Sequence, residues 1–388
     1  MRPMPKGPLK KDRALELRFG VPGSQLPSRD AGRLVREAEE MGFDSMWWAD
    51  RLMGWMPKGP HALLDPFVVM SAVATATSTI QLGTAVADPL RRHPTQLAQT
   101  ALSLQQISSN RLLLGIGPGE AAGTRPYGIS FERPVGRFEE AIQIIRGLWT
   151  GKPYDFEGEH YQLQSALCGL GKQVPTPPLW VAAHGYRTLG ITGRFADGWI
   201  PTGHGAAAYA DQLRRIRDVS QTAGRPSDAV EPGVFAWLVA AESEERAHQL
   251  FLEPGLRSLG LLLPQGALPT SPLPEGPWKS LIPTDPDVHE LVQAVDVDEL
   301  STVIPHGTPD DIAAELMEYV AAGARHLVLC DMSPASGARN GLEMRPIEIH
   351  QAVREALERR VAHCMIEKER FEIGQGPGTA VSRSDSGV

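Results

Sequence analysis

The run Gly115-Ile116-Gly117-Pro118-Gly119-Glu120 contains the residue types that a ligand-facing turn needs. Glycine lets a backbone approach a ligand closely and adopt φ > 0. A glutamate at the end of such a turn can exchange a proton with a bound molecule, and burial would raise its pKa for that work. The run is not the dinucleotide fingerprint, because the third glycine and the distant acid are missing. A second run, Trp180-Val181-Ala182-Ala183-His184-Gly185, ends on small residues before a helix. Small residues there leave room for a phosphate at the helix N-terminus, or they serve close packing of strand on helix. His184 is then either a ligand contact or a structural histidine. Arg91, Arg92 and His93 follow Asp88 and read as a grip for an anionic tail or as a solvated helix entry.

The surrounding elements have to bring these residues together. Short apolar runs at Leu15–Pro22, Ser45–Ala49, Thr79–Ala87, Arg111–Ile116, Leu179–Ala183, Gly198–Pro201, Gly233–Ala241 and His326–Asp331 read as strands. Amphipathic stretches between them read as helices: Ser28 to Met41, with Ser28 as N-cap and Gly42 after its end, Pro66 to Ala76, Pro94 to Ile107, Pro134 to Trp149, Arg187 to Phe195, Ala207 to Ala223, Glu244 to Leu263, Asp310 to Gly323 and Glu348 to Cys364. A hairpin is expected over Tyr154–Gln164 with Gly158 at its turn. Strands alternating with helices mean a parallel sheet under helices, and eight such units favour closure into a (β/α)8 barrel, an α/β fold. Such a barrel carries its site at the C-terminal ends of its strands. That selects Pro22–Gln25, Asp50–Trp55, Val86–Asp88, Gly117–Glu120, His184–Tyr186, Thr202–His204 and Asp331–Ser333. The expected organisation is an N-terminal extension over 1–14, a single barrel over 15–366 with a proline-rich insertion at about 250–305, and a flexible tail over 367–388.

The chain has 388 residues, 42% of them hydrophobic and 22% charged, as in ordinary globular proteins. The net charge of −8 argues against a nucleic-acid binder, which needs a basic surface. The cysteines, Cys168, Cys330 and Cys364, are sparse and far apart, which suits a reducing, cytoplasmic compartment and no zinc site. No metal is expected, because a barrel hydrolase would need paired histidines and His61, His93, His184 and His204 are scattered. No signal peptide and no membrane span are expected, since the N-terminal stretch is polar and no run of about 18 apolar residues exists.

At three segments the sequence resembles the luciferase-like monooxygenase superfamily, in particular its deazaflavin-dependent branch. They are Gly42–Asp50, then Leu114–Glu120 with Arg137–Glu140, and Leu179–Gly185 with Gly193–Trp199. The resemblance covers roughly Leu15 to His363. The run Gly119–Gly128 is also similar to that of mycobacterial phthiodiolone ketoreductases, which reduce a lipid ketone. The resemblance implies an oxidoreductase that transfers a hydride between the deazaflavin F420 and a small or lipid-like organic molecule. It also implies a homodimer and a cofactor lying in the barrel mouth. The cofactor-binding residues would be Asp50, Asp88, Gly117, Pro118, Gly119, Ala182, Ala183, His184 and Gly185, together with Ala85 and Val86, where relatives have a non-prolyl cis peptide. Glu120 would move a proton, and Trp55 would wall the substrate space.

The sugar-phosphate dehydrogenases of that branch have a histidine base after the aspartate; here the position holds Arg51. A guanidinium cannot act as a base near neutral pH, but it can steady an oxyanion. Reduction of a ketone or a conjugated double bond therefore fits better than alcohol oxidation, with Arg51 and Glu120 as its catalytic residues. FMN in the same fold would give a monooxygenase instead, and a non-catalytic cofactor-binding barrel is the remaining alternative.

Overall fold

The computed structural model describes residues 16–23, 30–54, 61–203, 205–264, 266–270 and 288–374. Eight strands form the barrel: β1 (Arg18–Pro22), β2 (Ser45–Trp48), β3 (Gln81–Thr84), β4 (Leu112–Ile116), β5 (Leu179–Val181), β6 (Gly198–Trp199), β7 (Glu231–Ala240) and β8 (His326–Asp331). Every neighbouring pair is parallel, and β6 pairs with both β5 and β7, which closes the sheet. The expected (β/α)8 barrel is the observed fold.

The helices on the outside are α1 (Ala31–Glu40), α2 (Pro66–Ala74), α3 (Pro94–Ile107), α4 (Pro134–Trp149), α5 (Tyr186–Phe195), α6 (Ala206–Thr222), α7 (Pro309–Ala321) and α8 (Pro346–Gly374). Their starts follow local chemistry. Asp65 accepts from the Phe67 N–H at 2.9 Å, with Pro66 in the first helical position. Thr308 and Asp311 form a reciprocal capping box at α7. α1 departs from expectation: Asp30, not Ser28, precedes it, it has no side-chain cap, and Ser28 lies outside the described residues. α8 continues to Gly374, past the point where a tail was expected, and residues 375–388 lie outside the described residues. Residues 1–14 do as well.

The main core lies between sheet and helices and includes Val35, Met70, Leu82, Leu102, Ile142 and Leu316. The segment between β7 and α7 has its own apolar cluster, with Leu250, Phe251, Leu256, Leu259, Val292 and Leu300. The single helix expected over Glu244–Leu263 is in fact three pieces, Glu244–Phe251, Pro254–Arg257 and a 3-10 turn at Ser258–Leu261. Pro254 lacks the N–H needed to continue the first piece, so a new helix starts there. Two further short helices, Val288–Ala294 and Val297–Ser301, had been read as part of the proline-rich stretch.

The barrel interior is filled largely by two tryptophans. Trp47 and Trp180 meet edge to face with centroids 5.5 Å apart. Glycines on the adjoining strands make room for them: a Cβ on Gly83 would run into Trp47, and one on Gly233 would come within 2.7 Å of Trp180.

Candidate active site

A cavity of about 1050 Å³ opens at the C-terminal rim of the barrel. The strand ends select its lining. Pro22 comes from β1, Asp50 and Arg51 follow β2, and Ala85, Val86 and Asp88 follow β3. Gly117, Pro118, Gly119 and Glu120 follow β4, Ala182, Ala183, His184 and Gly185 follow β5, and Thr202 follows β6. Thirteen of the fourteen residues expected to act on cofactor or substrate thus share one cavity. The fourteenth, Trp55, lies outside the described residues, as do Met56 and His204.

The Ala85–Val86 peptide is cis and lies in the cavity wall. Val86 is the reason for one glycine of the rim, since a Cβ on Gly117 would sit 2.8 Å from Val86 Cγ2. Gly119 has φ +73°, and a Cβ there would sit 2.9 Å from Asp88 Oδ1. The turn after β4 is therefore drawn down onto Asp88. Burial pushes the Asp88 carboxyl above the ordinary range, although the Leu90 and Arg91 N–H groups donate to it at 2.8 and 3.3 Å.

Arg91 and Arg92 are not a solvated entry, since both pair with Asp50 and Arg91 also lines the cavity. Arg92 donates to Asp50 through Nε at 2.7 Å and Nη2 at 2.8 Å, and also to Asp65 at 2.6 Å. Arg91 donates to the Asp50 carboxylate and, at 3.1 Å, to its carbonyl. A buried carboxylate needs such compensation, and these two guanidiniums supply it. His93 precedes α3 as its N-cap, with Nδ1 2.8 Å from Thr95 Oγ1. At β8, Asp331 is turned away from the cavity lining and accepts from the Ser333 N–H at 2.9 Å and from Ser333 Oγ at 2.8 Å.

Arg51 donates to Glu120 across the rim, which joins two residues 69 positions apart. The expected burial of Glu120 is not found, because its side chain is 42% exposed and that of Arg51 is 32% exposed. The 3-10 turn Ala121–Gly123 begins directly after Glu120, and this keeps the carboxylate at the opening. The pair presents a cation and a carboxyl group at one point above the cavity.

The other side of the cavity was missed in part. Phe235 and Trp237 alternate along β7 and both line it, as a period of two on an inward face allows. Met332 and Pro334 follow β8, and Leu259, Leu262 and Pro264 reach over from the insertion. Two leucines of Leu259–Leu263 line the cavity. Spacing alone could not say which of the insertion's apolar residues turn towards its own core. Tyr186, Arg187 and Thr188 in the first turn of α5, with Gln212 from α6, complete the polar side.

The family described as Luciferase-like monooxygenase matches residues 17–326. A phthiodiolone/phenolphthiodiolone dimycocerosates ketoreductase of Mycobacterium tuberculosis (strain ATCC 25618 / H37Rv) is 30% identical over 356 residues, which cover 82% of this chain and 92% of the relative. An F420-dependent glucose-6-phosphate dehydrogenase of Amycolatopsis mediterranei (strain U-32) is 29% identical, covering 81% of this chain and 92% of the relative. Among solved structures, an F420-dependent secondary alcohol dehydrogenase in complex with an F420-acetone adduct superimposes with a TM-score of 0.72 at 20% identity, covering 88% of this chain and 99% of that one.

Proposed function

The chain belongs to the luciferase-like monooxygenase family, and we propose that it is an F420-dependent oxidoreductase that reduces an uncharged ketone or a conjugated double bond. The observation that carries this reading is the Arg51–Glu120 pair at the rim of the cavity. A carbonyl oxygen arriving there meets a guanidinium that stabilises developing negative charge and a carboxyl group that can exchange a proton. Arg51 cannot itself take the proton, so Glu120 is the proton carrier in either direction.

The residues present fit a deazaflavin. Small side chains and glycines, Ala85, Gly117, Ala182 and Gly185, leave the wall open to a flat ring, and a Cβ on Gly185 would meet only Thr188 Oγ1, at 3.7 Å. Ala85, Val86, Asp88, Gly117, Pro118, Gly119, Ala182, Ala183, His184 and Gly185 would hold the cofactor. Asp50 would act with them through its carboxylate pairing, which fixes Arg91 and Arg92 beside Asp88. When bound, the deazaflavin supplies the hydride. The likeness to a ketoreductase and to an F420-dependent dehydrogenase supports both the cofactor and the reaction class.

The substrate's apolar groups lie against Phe235, Trp237, Leu259, Leu262 and Met332, a wall without charged side chains. Trp55, which lies outside the described residues, is assigned to the substrate space by the family resemblance alone. The protein acts as a homodimer in the cytoplasm; exposed Leu64 just before α2 and Val68 in its first turn offer apolar surface to a second copy, and three free cysteines accord with a reducing compartment. Among the described residues no helix is long and apolar enough to cross a membrane.

Paired fluorescence titrations of the purified protein with F420 and with FMN test the reading. Micromolar or tighter binding of F420 alone is expected. Preference for FMN with oxygen consumption would replace it with a monooxygenase, and binding of neither would leave a non-catalytic barrel.

A further inference from the structure

Inside the barrel, below the cavity, Ser45, His326 and Glu231 stand in the order of a nucleophile, a base and an acid. Ser45 Oγ is 2.7 Å from His326 Nε2, and His326 Nδ1 is 3.4 Å from Glu231 Oε1. Two observations turn this set away from nucleophilic chemistry. Ser45 and His326 are wholly buried, and neither lines the cavity. In addition, the Trp47 indole N–H donates to Ser45 Oγ at 2.8 Å and so occupies the oxygen that would attack.

With the His326 proton on Nδ1, the hydrogen bonds run in one direction. Ser45 Oγ accepts from Trp47, so its own hydrogen is free to go to His326 Nε2. His326 is then neutral, with its remaining proton on Nδ1 facing Glu231. Burial holds His326 below its ordinary range, which agrees with the neutral form, although Glu231 opposes this in part. Arg18 Nη1 anchors Glu231 at 2.8 Å, and Gln81 accepts from Arg18 in turn. The His326 ring also meets the faces or edges of both tryptophans, 5.8 Å from Trp47 and 5.2 Å from Trp180. A Cβ on Gly20 would sit 2.5 Å from Ser45 Oγ and 3.0 Å from Trp47 Nε1, so β1 leaves space for this chain.

Trp47 is the end of the chain that reaches the cavity. It lines the cavity floor and packs with Ala85 and Val86. An apolar plug would fill the same interior without buried polar atoms, each of which costs about 1–3 kcal/mol if left unsatisfied. The hydrogen bonds from Trp47 to Ser45 and between Ser45 and His326, with Glu231 3.4 Å from His326 Nδ1, instead select one orientation of the indole. We infer that Arg18, Glu231, His326 and Ser45 are positioning residues that hold the Trp47 indole as the floor of the cofactor cavity. The part of this inference that concerns the cofactor rests on the function proposed above; the part that concerns the indole does not.

The test uses ¹⁵N-labelled full-length protein. The Trp47 indole signal is assigned by its loss in Trp47→Phe, then followed in Ser45→Ala and His326→Phe, with the F420 dissociation constant measured on the same samples. The expected result is a shifted, faster-exchanging Trp47 signal and affinity weakened about tenfold, as loss of one buried bond would give. His326→Gln, whose side-chain carbonyl can take the Ser45 hydroxyl, should restore most of both. Ser220→Ala serves as the control, since it removes another buried hydroxyl bond, to Gly193 at 3.0 Å, outside the barrel interior. A Trp47 signal unmoved in Ser45→Ala would overturn the relay, even if wild-type protein bound no F420. A moved signal with unchanged affinity, or an equal affinity loss in Ser220→Ala, would overturn the positioning role. Should Ser45→Ala or His326→Phe fail to fold, a Trp47 signal and affinity identical to wild type in Glu231→Gln would overturn it.

Discussion

Arg92 holds Asp50 with two parallel bonds, Nε to Oδ2 at 2.7 Å and Nη2 to Oδ1 at 2.8 Å, across 42 residues of sequence. The Asp50 side chain is 1% exposed, so its charge depends on this partner and on Arg91. Asp50→Asn should destabilise the protein by about 3 kcal/mol, because it removes the buried carboxylate that Arg91 and Arg92 share and leaves Asp65 as the remaining ion-pair partner of Arg92. Denaturant unfolding monitored by circular dichroism measures this. A change under about 0.5 kcal/mol, the size of an ordinary surface substitution, would mean that the fork contributes nothing.

Glu120 is assigned the proton and Arg51 the oxyanion. Glu120→Gln keeps the shape and a hydrogen-bond partner for Arg51 but cannot carry a proton between substrate and solvent. It should lower kcat by about 10²–10³-fold and leave F420 affinity unchanged. Arg51→Ala should lower kcat by a similar factor, and Arg51→Lys should recover only part, because lysine lacks the planar fork. Steady-state kinetics on a panel of ketones and enones would decide, and near-wild-type turnover in both Glu120→Gln and Arg51→Ala would sink the scheme.

Gly119 combines a left-handed φ of +73° with the Asp88 carboxylate 2.9 Å from where a Cβ would lie. Gly119→Ala should therefore cost about 1–2 kcal/mol and weaken cofactor binding, since the rim has to lift off Asp88. Thermal melts with and without F420 separate the two effects. Gly128 makes a control: its φ is +74°, but nothing lies within 4 Å of a Cβ there, so Gly128→Ala reports backbone strain alone.

His350 is buried behind β8, where its Nε2 accepts from the Asp331 N–H at 3.2 Å. Burial lowers its pKa to about 4, against an ordinary value of 6.5. The unfolded chain therefore binds a proton at a pH where the folded chain does not. Stability from this group is complete above pH 6.5 and is lost as pH falls towards 4, by about 3 kcal/mol over the interval. His350→Gln keeps an acceptor for Asp331 and removes the titration. Its unfolding free energy should be flatter than that of wild type between pH 6.5 and 4; parallel curves would show that His350 is not the group responsible.

Much of the framework is already present in local chemistry. Strands alternating with helices required a parallel sheet, and the eight expected strands are the eight observed ones, trimmed mainly at their ends. Pro66, Pro94, Pro134 and Pro309 start helices because proline suits a first turn. Glu120, Asp50 and Gly117 could be chosen because barrel chemistry gathers where strands end, and that is a local property of each strand.

Pairing across the barrel was not legible. Arg91 and Arg92 look like a solvated helix entry until folding brings them against Asp50, because a charge's partner is set by distance in space. Ser45, Glu231 and His326 carried no pattern, since each is a single polar residue in a strand and the closed sheet alone brings them into line. The helices at Val288–Ala294 and Val297–Ser301 were hidden because their apolar residues pack on the insertion's own core, at spacings too short for a period to show. The sequence by itself determined that the chain would form a (β/α)8 barrel and which residues would stand at its rim. The tertiary structure decided which charges neutralise one another, which tryptophan forms the cavity floor and which side of the cavity is apolar, because these depend on strand register and closure.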